Sequence, residues 1–223
     1  MSKNSDHWIP LADLMTGLMM MFMLIAVLYM LKVNSAVSEY SVSKDALGKD
    51  LCSEFASDLE KWDAECDSDN LVIRFKSPDV LFDTGQAVIK PQFKVILSDF
   101  FPRYIALLNR EEYNDSIEEI RIEGHTSSSW REGASENESY FLNMQLSQAR
   151  TLSVLKYVLS DKNTPSQAWT RDLLTANGLS SSKLIHDADG KENRKGSQRV
   201  EFRVRTNADE YIKNIIDDLG QNE

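Results

Sequence analysis

The hydrophobic pattern of the chain begins with one long run. Residues 9–31 are mostly apolar and contain a single charged side chain, Asp13. A helix needs about 20 mostly apolar residues to cross a bilayer, so this run predicts a transmembrane helix. A cleaved secretory signal would have a basic start, a shorter apolar core and small residues at its end. Bulky residues fill the end of this run, so we expect an uncleaved anchor.

The orientation of this anchor rests on size, because Lys3 and Lys32 flank it evenly and the positive-inside rule barely decides. Residues 1–8 precede the run, and most of the chain follows it. We therefore expect residues 1–8 to be a short cytoplasmic N-terminus and the remainder to be exported.

Apolar residues next recur mostly at steps of three and four, which is the spacing of one helix face. They are Val33, Val37, Tyr40, Leu47, Leu51, Phe55, Leu59 and Trp62. This pattern predicts a helical stalk that leaves the membrane and ends near Asp63. We assign residues 32–66 to the stalk and linker.

Strand and helix periods alternate in the rest of the chain. Alternation predicts strands at 71–76, 117–125, 183–186 and 197–206. Helical spacing predicts helices at 91–109, 140–159, 166–177 and 207–219. The order predicts an α/β sandwich over residues 67–223, with helices on one side of a mixed sheet, and an α+β class for the chain.

The charge balance narrows the function. The formal net charge is −10, and the four charges in residues 1–32 cancel, so the excess lies in the rest of the chain. A nucleic-acid binder needs a basic face for phosphates, and this composition argues against one and against docking on anionic lipids. No P-loop, zinc signature or triad is present, and His125 has no nucleophile beside it. We expect no enzyme and no cofactor.

The chain has two cysteines, Cys52 and Cys66. In an exported domain an oxidising compartment makes a disulfide between them reasonable. The alternative is two unrelated small apolar residues, and the sequence leaves both open.

Two sets of motifs carry a family resemblance. The segments VLFDTGQAVIKPQ, IRIEGHTSS, NMQLSQART and RKGSQRVEFRV follow the order of the OmpA-like peptidoglycan-binding domain. The segment WIPLADLMT is similar to the start of MotB, the ion-carrying subunit of flagellar stators. The short N-terminus, the compact stalk and the long loop after GHT most resemble the ZorB family, the MotB-like components of Zorya anti-phage systems.

The resemblance implies a motor in the bacterial inner membrane. It implies a MotA/ZorA-like membrane partner, with five copies around a homodimer of this chain, and a periplasmic domain bound to peptidoglycan. It also implies that ion flow relays a phage signal to cytoplasmic effectors. The alternatives are a flagellar MotB-type stator subunit and a passive peptidoglycan tether.

The resemblance gives Asp13 the role of ion carrier. A charged group inside a bilayer is costly and normally faces a bundle interior or a water-filled path. A carboxyl that loads a proton on one side and releases it on the other can convert membrane potential into work. The alternative is a carboxyl that only hydrogen-bonds a partner helix, with Thr16 one turn away. The sequence does not distinguish H⁺ from Na⁺ as the transferred ion.

The resemblance also places a peptidoglycan site. In the OmpA-like family the arginine of the LS-x-x-R pattern binds the diaminopimelate of the peptide stem, and this position is Arg150 here. A guanidinium can hold a carboxylate through two hydrogen bonds. An alternative is that Arg150 bridges elements within the fold. The neighbouring pocket residues carried over are Thr126, Asn143, Leu146 and Ser147.

One family residue is missing from this site. The aspartate that follows GHT in the family, and that pairs with the ligand's ammonium, is Ser127 in this chain. Arg194 and Arg199 match the last motif, where an arginine supports the site or the fold. Candidate substitutes for the aspartate in the long polar loop are Glu132, Glu136 and Glu138.

Overall fold

The computed structural model describes residues 8–76 and 78–207 of the chain, with side chains at 12–34, 42–76 and 80–207. The chain divides into two compact units, Met1–Val42 and Ser43–Glu223. The first helix, α1 (Trp8–Phe55), begins in the first unit and ends in the second. Its segment Ala12–Asn34 has a mean hydropathy of 2.3 and no buried residues, so it is long and apolar enough to cross a membrane.

The second unit is built on a five-stranded mixed sheet. The strands are β1 (Ala64–Asp67), β2 (Val72–Phe75), β3 (Ile117–His125), β4 (Leu174–Gly178) and β5 (Arg199–Thr206). Their order is β1-β2-β5-β3-β4. Only the β3–β4 pair is parallel among these neighbours, and the other three pairs are antiparallel. The predicted α+β class with a mixed sheet is confirmed.

Helices and short turns connect these strands. They are α2 (Pro78–Leu81), α3 (Pro91–Leu108), a 3-10 turn (Asn114–Ser116), α4 (Glu136–Ser160), α5 (Gln167–Leu173) and α6 (Arg194–Ser197). Proline suits the first turn of α3, where its missing N–H has no partner to lose. The Ser135 hydroxyl caps α4 by accepting from the Glu138 N–H at 3.2 Å.

One core joins the sheet to the helices. Alternate residues of β2, β3 and β5 are apolar and fully buried, for example Phe75, Ile122 and Phe202. Phe100 of α3 packs 4.9 Å from the Phe202 ring and 5.2 Å from the Phe75 ring, between centroids. Most of the intervening positions carry charged side chains, for example Arg74, Arg121 and Glu201, so the alternation read from the sequence reflects this division.

The C-terminal part of α1 belongs to this core, which corrects the predicted boundary. Leu47, Leu51 and Phe55 are at most 1% exposed. A Cβ on Gly48 would lie 2.2 Å from the Ser68 carbonyl oxygen, so the helix backbone approaches the β1–β2 turn closely. The compact unit therefore begins at Ser43, and not at residue 67, because the apolar stripe read as a stalk packs inside the domain.

The two cysteines form a disulfide in this structure. Cys52 lies on α1 and Cys66 on β1, 14 residues apart in sequence and 5.5 Å apart between Cα atoms. The bond ties the end of α1 to the edge strand of the sheet. Strand β1 was not predicted, because residues 64–66 fall in the expected linker and Asp67 at the first position of the expected domain.

Two further predictions in the C-terminal half were wrong. The helix expected over 166–177 ends at Leu173, and residues 174–178 form β4, because they pair in parallel with β3. The strand expected over 183–186 is absent from this described stretch, where His186 makes only an isolated bridge to Glu192. The helix expected over 207–219 lies outside the described residues, apart from its first position.

Candidate functional site

A cavity of about 290 Å³ lies in the second unit, beside the C-terminal end of β3 and the N-terminal half of α4. Four residues assigned to the peptidoglycan site line it: Thr126, Asn143, Leu146 and Arg150. Thr126 follows β3 directly, and the other three lie on successive turns of one face of α4. The structure therefore brings these four motif residues together around one space.

Arg150 is the most constrained side chain of this cavity. Its Nε donates to the Gln86 carbonyl at 2.9 Å and its Nη2 to the Asp83 carbonyl at 3.2 Å. The guanidinium lies 4.9 Å from the centroid of the Phe82 ring. These contacts fix the plane of the group, and Nη1 makes no hydrogen bond to any described residue.

Arg150 carries its charge without a counterion among the described residues. It is 8% exposed, and burial lowers its pKa to about 10, so it stays charged at neutral pH. A buried charge normally has an ionic partner, because leaving water without one is costly. An anionic ligand group in the cavity would supply that partner.

Asn143 and Ser147 organise the walls of the cavity. The Asn143 amide donates to the carbonyls of Ser127 and Ser129, at 3.0 and 3.4 Å, and so holds the loop after β3 against α4. Ser147 does not line the cavity: its hydroxyl donates to the Met144 carbonyl and accepts from the Ser180 N–H at 3.1 Å. The structure thus gives Ser147 a supporting position next to the site.

Among the described residues, no aspartate or glutamate lines the cavity. Ser127 occupies the family's acidic position and lines the cavity. Glu138 pairs with Arg131 at 2.6 Å, and Glu136 lines an adjoining cavity of about 500 Å³. Glu132 lines neither cavity. None of the three candidate glutamates therefore takes the place of the missing aspartate.

The two arginines of the last motif have different positions. Arg194 lines the cavity and makes no ion pair with a described residue. Arg199 is 7% exposed and donates from Nε to the Glu201 carboxylate at 2.7 Å and from Nη1 to the Lys183 and Ser197 carbonyls. Arg194 therefore belongs to the site and Arg199 to the fold.

A buried ionic cluster lies on β3 and β5. The ligand atoms of Glu123, His125 and Glu201 all lie within 4.8 Å of one another, a spacing that could hold a metal ion. The carboxylates already accept hydrogen bonds from three guanidiniums, those of Arg74, Arg199 and Arg203. These cations neutralise the carboxylates, so the cluster fits a structural ion-pair network.

Sequence reasoning missed the rest of the cavity lining. The missed residues are Thr84, Gly85, Ser129, Trp130 and Gln198. They lie in loops and turns on both sides of the motif residues, where no periodicity marks a side chain as facing a site. For the first four residues the available signal was their position within or next to the segments VLFDTGQAVIKPQ and IRIEGHTSS.

In the first unit, Asp13 lies at the start of the apolar segment of α1. Its side chain is exposed, as are all the described apolar side chains around it. The Thr16 hydroxyl donates to the backbone carbonyl of Asp13 at 2.9 Å, so it satisfies a helix carbonyl and does not contact the carboxylate. The helix surface here is open to lipid or to a partner helix.

Comparison with known proteins assigns the chain to a family. The OmpA family model matches residues 81–201, which span the cavity and most of the sheet. Zorya protein ZorB of Escherichia coli (strain Crooks) is 45% identical over 222 residues, covering 96% of this chain and 94% of that protein. A ZorB of another Escherichia coli strain is 26% identical over 215 residues, covering 91% of this chain and 81% of that protein.

Among solved structures, the chain resembles a MotB-like protein from Desulfovibrio vulgaris. The TM-score is 0.53 at 23% identity, and the match covers 77% of this chain and 99% of that structure. This similarity shows a shared fold. The chain contains an OmpA-family domain at residues 81–201 and belongs, over nearly its whole length, to the ZorB family of Zorya proteins.

Proposed function

We propose that this chain is the wall-anchored, ion-carrying subunit of an inner-membrane motor complex that takes part in phage defence. In this proposal the N-terminus is cytoplasmic, α1 crosses the inner membrane once, and the OmpA-family domain is periplasmic. A MotA/ZorA-like subunit surrounds a dimer of this chain with five copies. Ion flow through the complex signals phage infection to cytoplasmic effectors. Membership of the ZorB family supports this assignment.

The OmpA-family domain would bind the peptide stem of peptidoglycan. The supporting observation is the buried Arg150 guanidinium, which lines the cavity and has no ionic partner among the described residues. A stem carboxylate there would form charge-assisted hydrogen bonds and replace the missing counterion. Hydroxyls of Thr126 and Ser127 would complete the polar contacts.

The observation that carries the motor function is Asp13, a carboxylate within the apolar segment Ala12–Asn34 of α1, which has no buried residues. A carboxylate placed in a bilayer costs about 2.5–3.5 kcal/mol on insertion scales, so a passive tether has no use for it. One charge that crosses 100 mV releases about 2.3 kcal/mol, which is enough to drive small conformational steps. Asp13 would carry H⁺ or Na⁺ along the interface with the partner helices.

The test of the motor function is Asp13→Asn in the full complex. The amide keeps the shape of the carboxyl but cannot exchange a proton or balance a cation. We expect normal insertion, dimerisation and partner assembly, with loss of protection against phage. Asp6→Asn removes the same charge outside the apolar run and serves as the matched control.

Assembly must be measured beside protection, because a packing role would lower both together. Pull-down of the partner from membranes provides that measurement. If Asp13→Asn assembles and protects as well as the parent, the ion-carrier function is wrong and a wall tether is the better description. If the variant instead abolishes swimming in a flagellated host, the flagellar alternative is favoured.

A further inference from the structure

We infer that the cavity selects a peptidoglycan stem whose carboxylate is free and whose neighbouring amine is blocked, as in a cross-linked stem. This inference rests on the proposed wall binding and names its ligand more closely. A stem diamino acid carries an ammonium and a carboxylate on the same carbon. Cross-linking converts that ammonium to a neutral amide and leaves the carboxylate unchanged.

The charge of the cavity wall carries this inference. Arg150 and Arg194 both line the cavity, and neither makes an ion pair with a described residue. No carboxylate is found in the lining over the part of the chain that the structure describes. Ser127, which follows the GHT segment, contributes a neutral hydroxyl. The wall therefore attracts a carboxylate and repels an ammonium placed beside it.

Four backbone carbonyls beside the cavity already accept hydrogen bonds from the protein, and none of them carries the full negative charge that would balance an ammonium. Those of Asp83 and Gln86 already accept from Arg150. Those of Ser127 and Ser129 already accept from the Asn143 amide. The lining offers an ammonium neutral hydroxyl and amide oxygens as acceptors, but no described carboxylate to balance its charge when it leaves water. A neutral amide has one N–H and pays a much smaller desolvation penalty.

The shape of the surface provides room for the cross-linked group. Trp130 lines the cavity with a large aromatic side chain, which suits the apolar part of an acyl chain. The adjoining cavity of about 500 Å³ shares Ser129 and Arg194 with the first. A second stem attached through the amine could therefore continue from one cavity into the other.

The test compares three soluble tripeptides that end in diaminopimelate, by calorimetric titration into the full-length chain in mild detergent. In the first peptide the side-chain amine of diaminopimelate is free, and in the second it is acetylated. In the third that amine is acetylated and the carboxylate on the same carbon is converted to an amide. We expect the acetylated peptide to bind at least about threefold more tightly than the free amine. Amidation should weaken binding about tenfold or more, since it removes the charge that pairs with Arg150.

Adding a carboxylate to the wall should reverse the preference. Ser127→Asp should shift the ratio about tenfold toward the free amine, because it supplies the missing ionic partner. Ser127→Asn adds nearly the same volume without charge, so any shift it produces measures size alone. Gln198→Glu is a second, isosteric way to add the charge if Ser127→Asp does not fold. Gln167→Glu adds the same charge at an exposed position of α5 outside the cavity lining and should shift nothing.

The outcomes separate this inference from the proposed wall binding. Tighter binding of the free amine by the parent chain would overturn the inference and leave wall binding intact. An unchanged ratio in folded Ser127→Asp and Gln198→Glu would also overturn it. If no peptide binds and the chain fails to sediment with isolated sacculi, wall binding is wrong and the inference falls with it.

Discussion

The charged face of the sheet makes a quantitative prediction about stability. Glu201 is 1% exposed, and its two oxygens accept from Arg74 and Arg199, both at 2.7 Å, and from Arg203 at 3.1 Å. Burial alone would raise the pKa of Glu201. The charge on His125 and the hydrogen bonds from Arg199 and Arg74 outweigh burial and lower the pKa to about 2.

The pKa shift sets the magnitude and the pH window. Each tenfold change in the ionisation constant is worth about 1.4 kcal/mol. Lowering the pKa of Glu201 from 4.5 to about 2 therefore corresponds to about 3 kcal/mol of folding stability. Because the folded pKa is the lower one, this contribution is fully present above pH 4.5. It is lost as the pH falls through 4.5 toward about 2.

The perturbation is Glu201→Gln, which keeps the shape and removes the charge that pairs with three guanidiniums. We expect the variant to be less stable by about 3 kcal/mol at pH 7, and by progressively less below pH 4.5. Urea unfolding of the full-length chain in mild detergent, followed by tryptophan fluorescence, measures the difference. Trp62 and Trp169 both pack against the core and report on its loss.

Glu65→Gln is the matched control. Glu65 pairs with Lys76 and Arg74 on the same sheet face, but its side chain is 50% exposed. Surface pairs of this kind contribute about 0–1 kcal/mol. If Glu201→Gln costs no more than Glu65→Gln, or if its cost is constant from pH 7 to pH 2.5, the buried network does not stabilise the domain as argued.

Three further predictions concern the wall site and the contact of the C-terminal part of α1 with β1 and the β1–β2 turn. Arg150→Ala should weaken binding to sacculi by roughly 2–4 kcal/mol, seen as less co-sedimentation, while Arg171→Ala at an exposed position of α5 should not; equal sedimentation by a folded Arg150→Ala would contradict the site. Replacing Cys52 and Cys66 by alanine should lower the unfolding free energy by about 3 kcal/mol, as expected for a loop of this length, and two alkylatable thiols in denatured, non-reduced protein would refute the bond. Gly48→Ala should cost roughly 1–3 kcal/mol by overpacking, seen as a lower urea midpoint; an unchanged midpoint would show that the neighbouring turn yields freely.

Elements with a long, clean period were predictable from the sequence. Strand β5 alternates apolar and charged residues over its whole length, and α3 carries a full apolar face, so both appear at the predicted positions. Strands β1 and β4 have four and five residues, and their conformation depends on partners distant in sequence. Local propensity could not show this, because pairing with β2 and β3 decides it.

The same division holds for the candidate site. Thr126, Asn143, Leu146 and Arg150 were found because a motif fixes their spacing. The absence of an acid at Ser127 was also visible in the sequence. Whether a nearby glutamate replaces that acid could not be predicted, because this depends on where the loop places each glutamate. In the structure Glu138 pairs with Arg131. Loop geometry, which the sequence leaves undetermined, decides the charge of the cavity.

The disulfide between Cys52 and Cys66 also defines a mechanical route through the second unit. Tension that enters along α1 reaches Cys52 and can pass through the sulfur–sulfur bond directly into β1. The turns between them, residues 56–63, and the buried end of the helix at Phe55 are thereby bypassed. Load is then shared across the antiparallel ladder from β1 to β2 and on to β5. In the proposed motor, a subunit held by the membrane and by the wall would in this way carry repeated pulling without detaching its first helix from the domain.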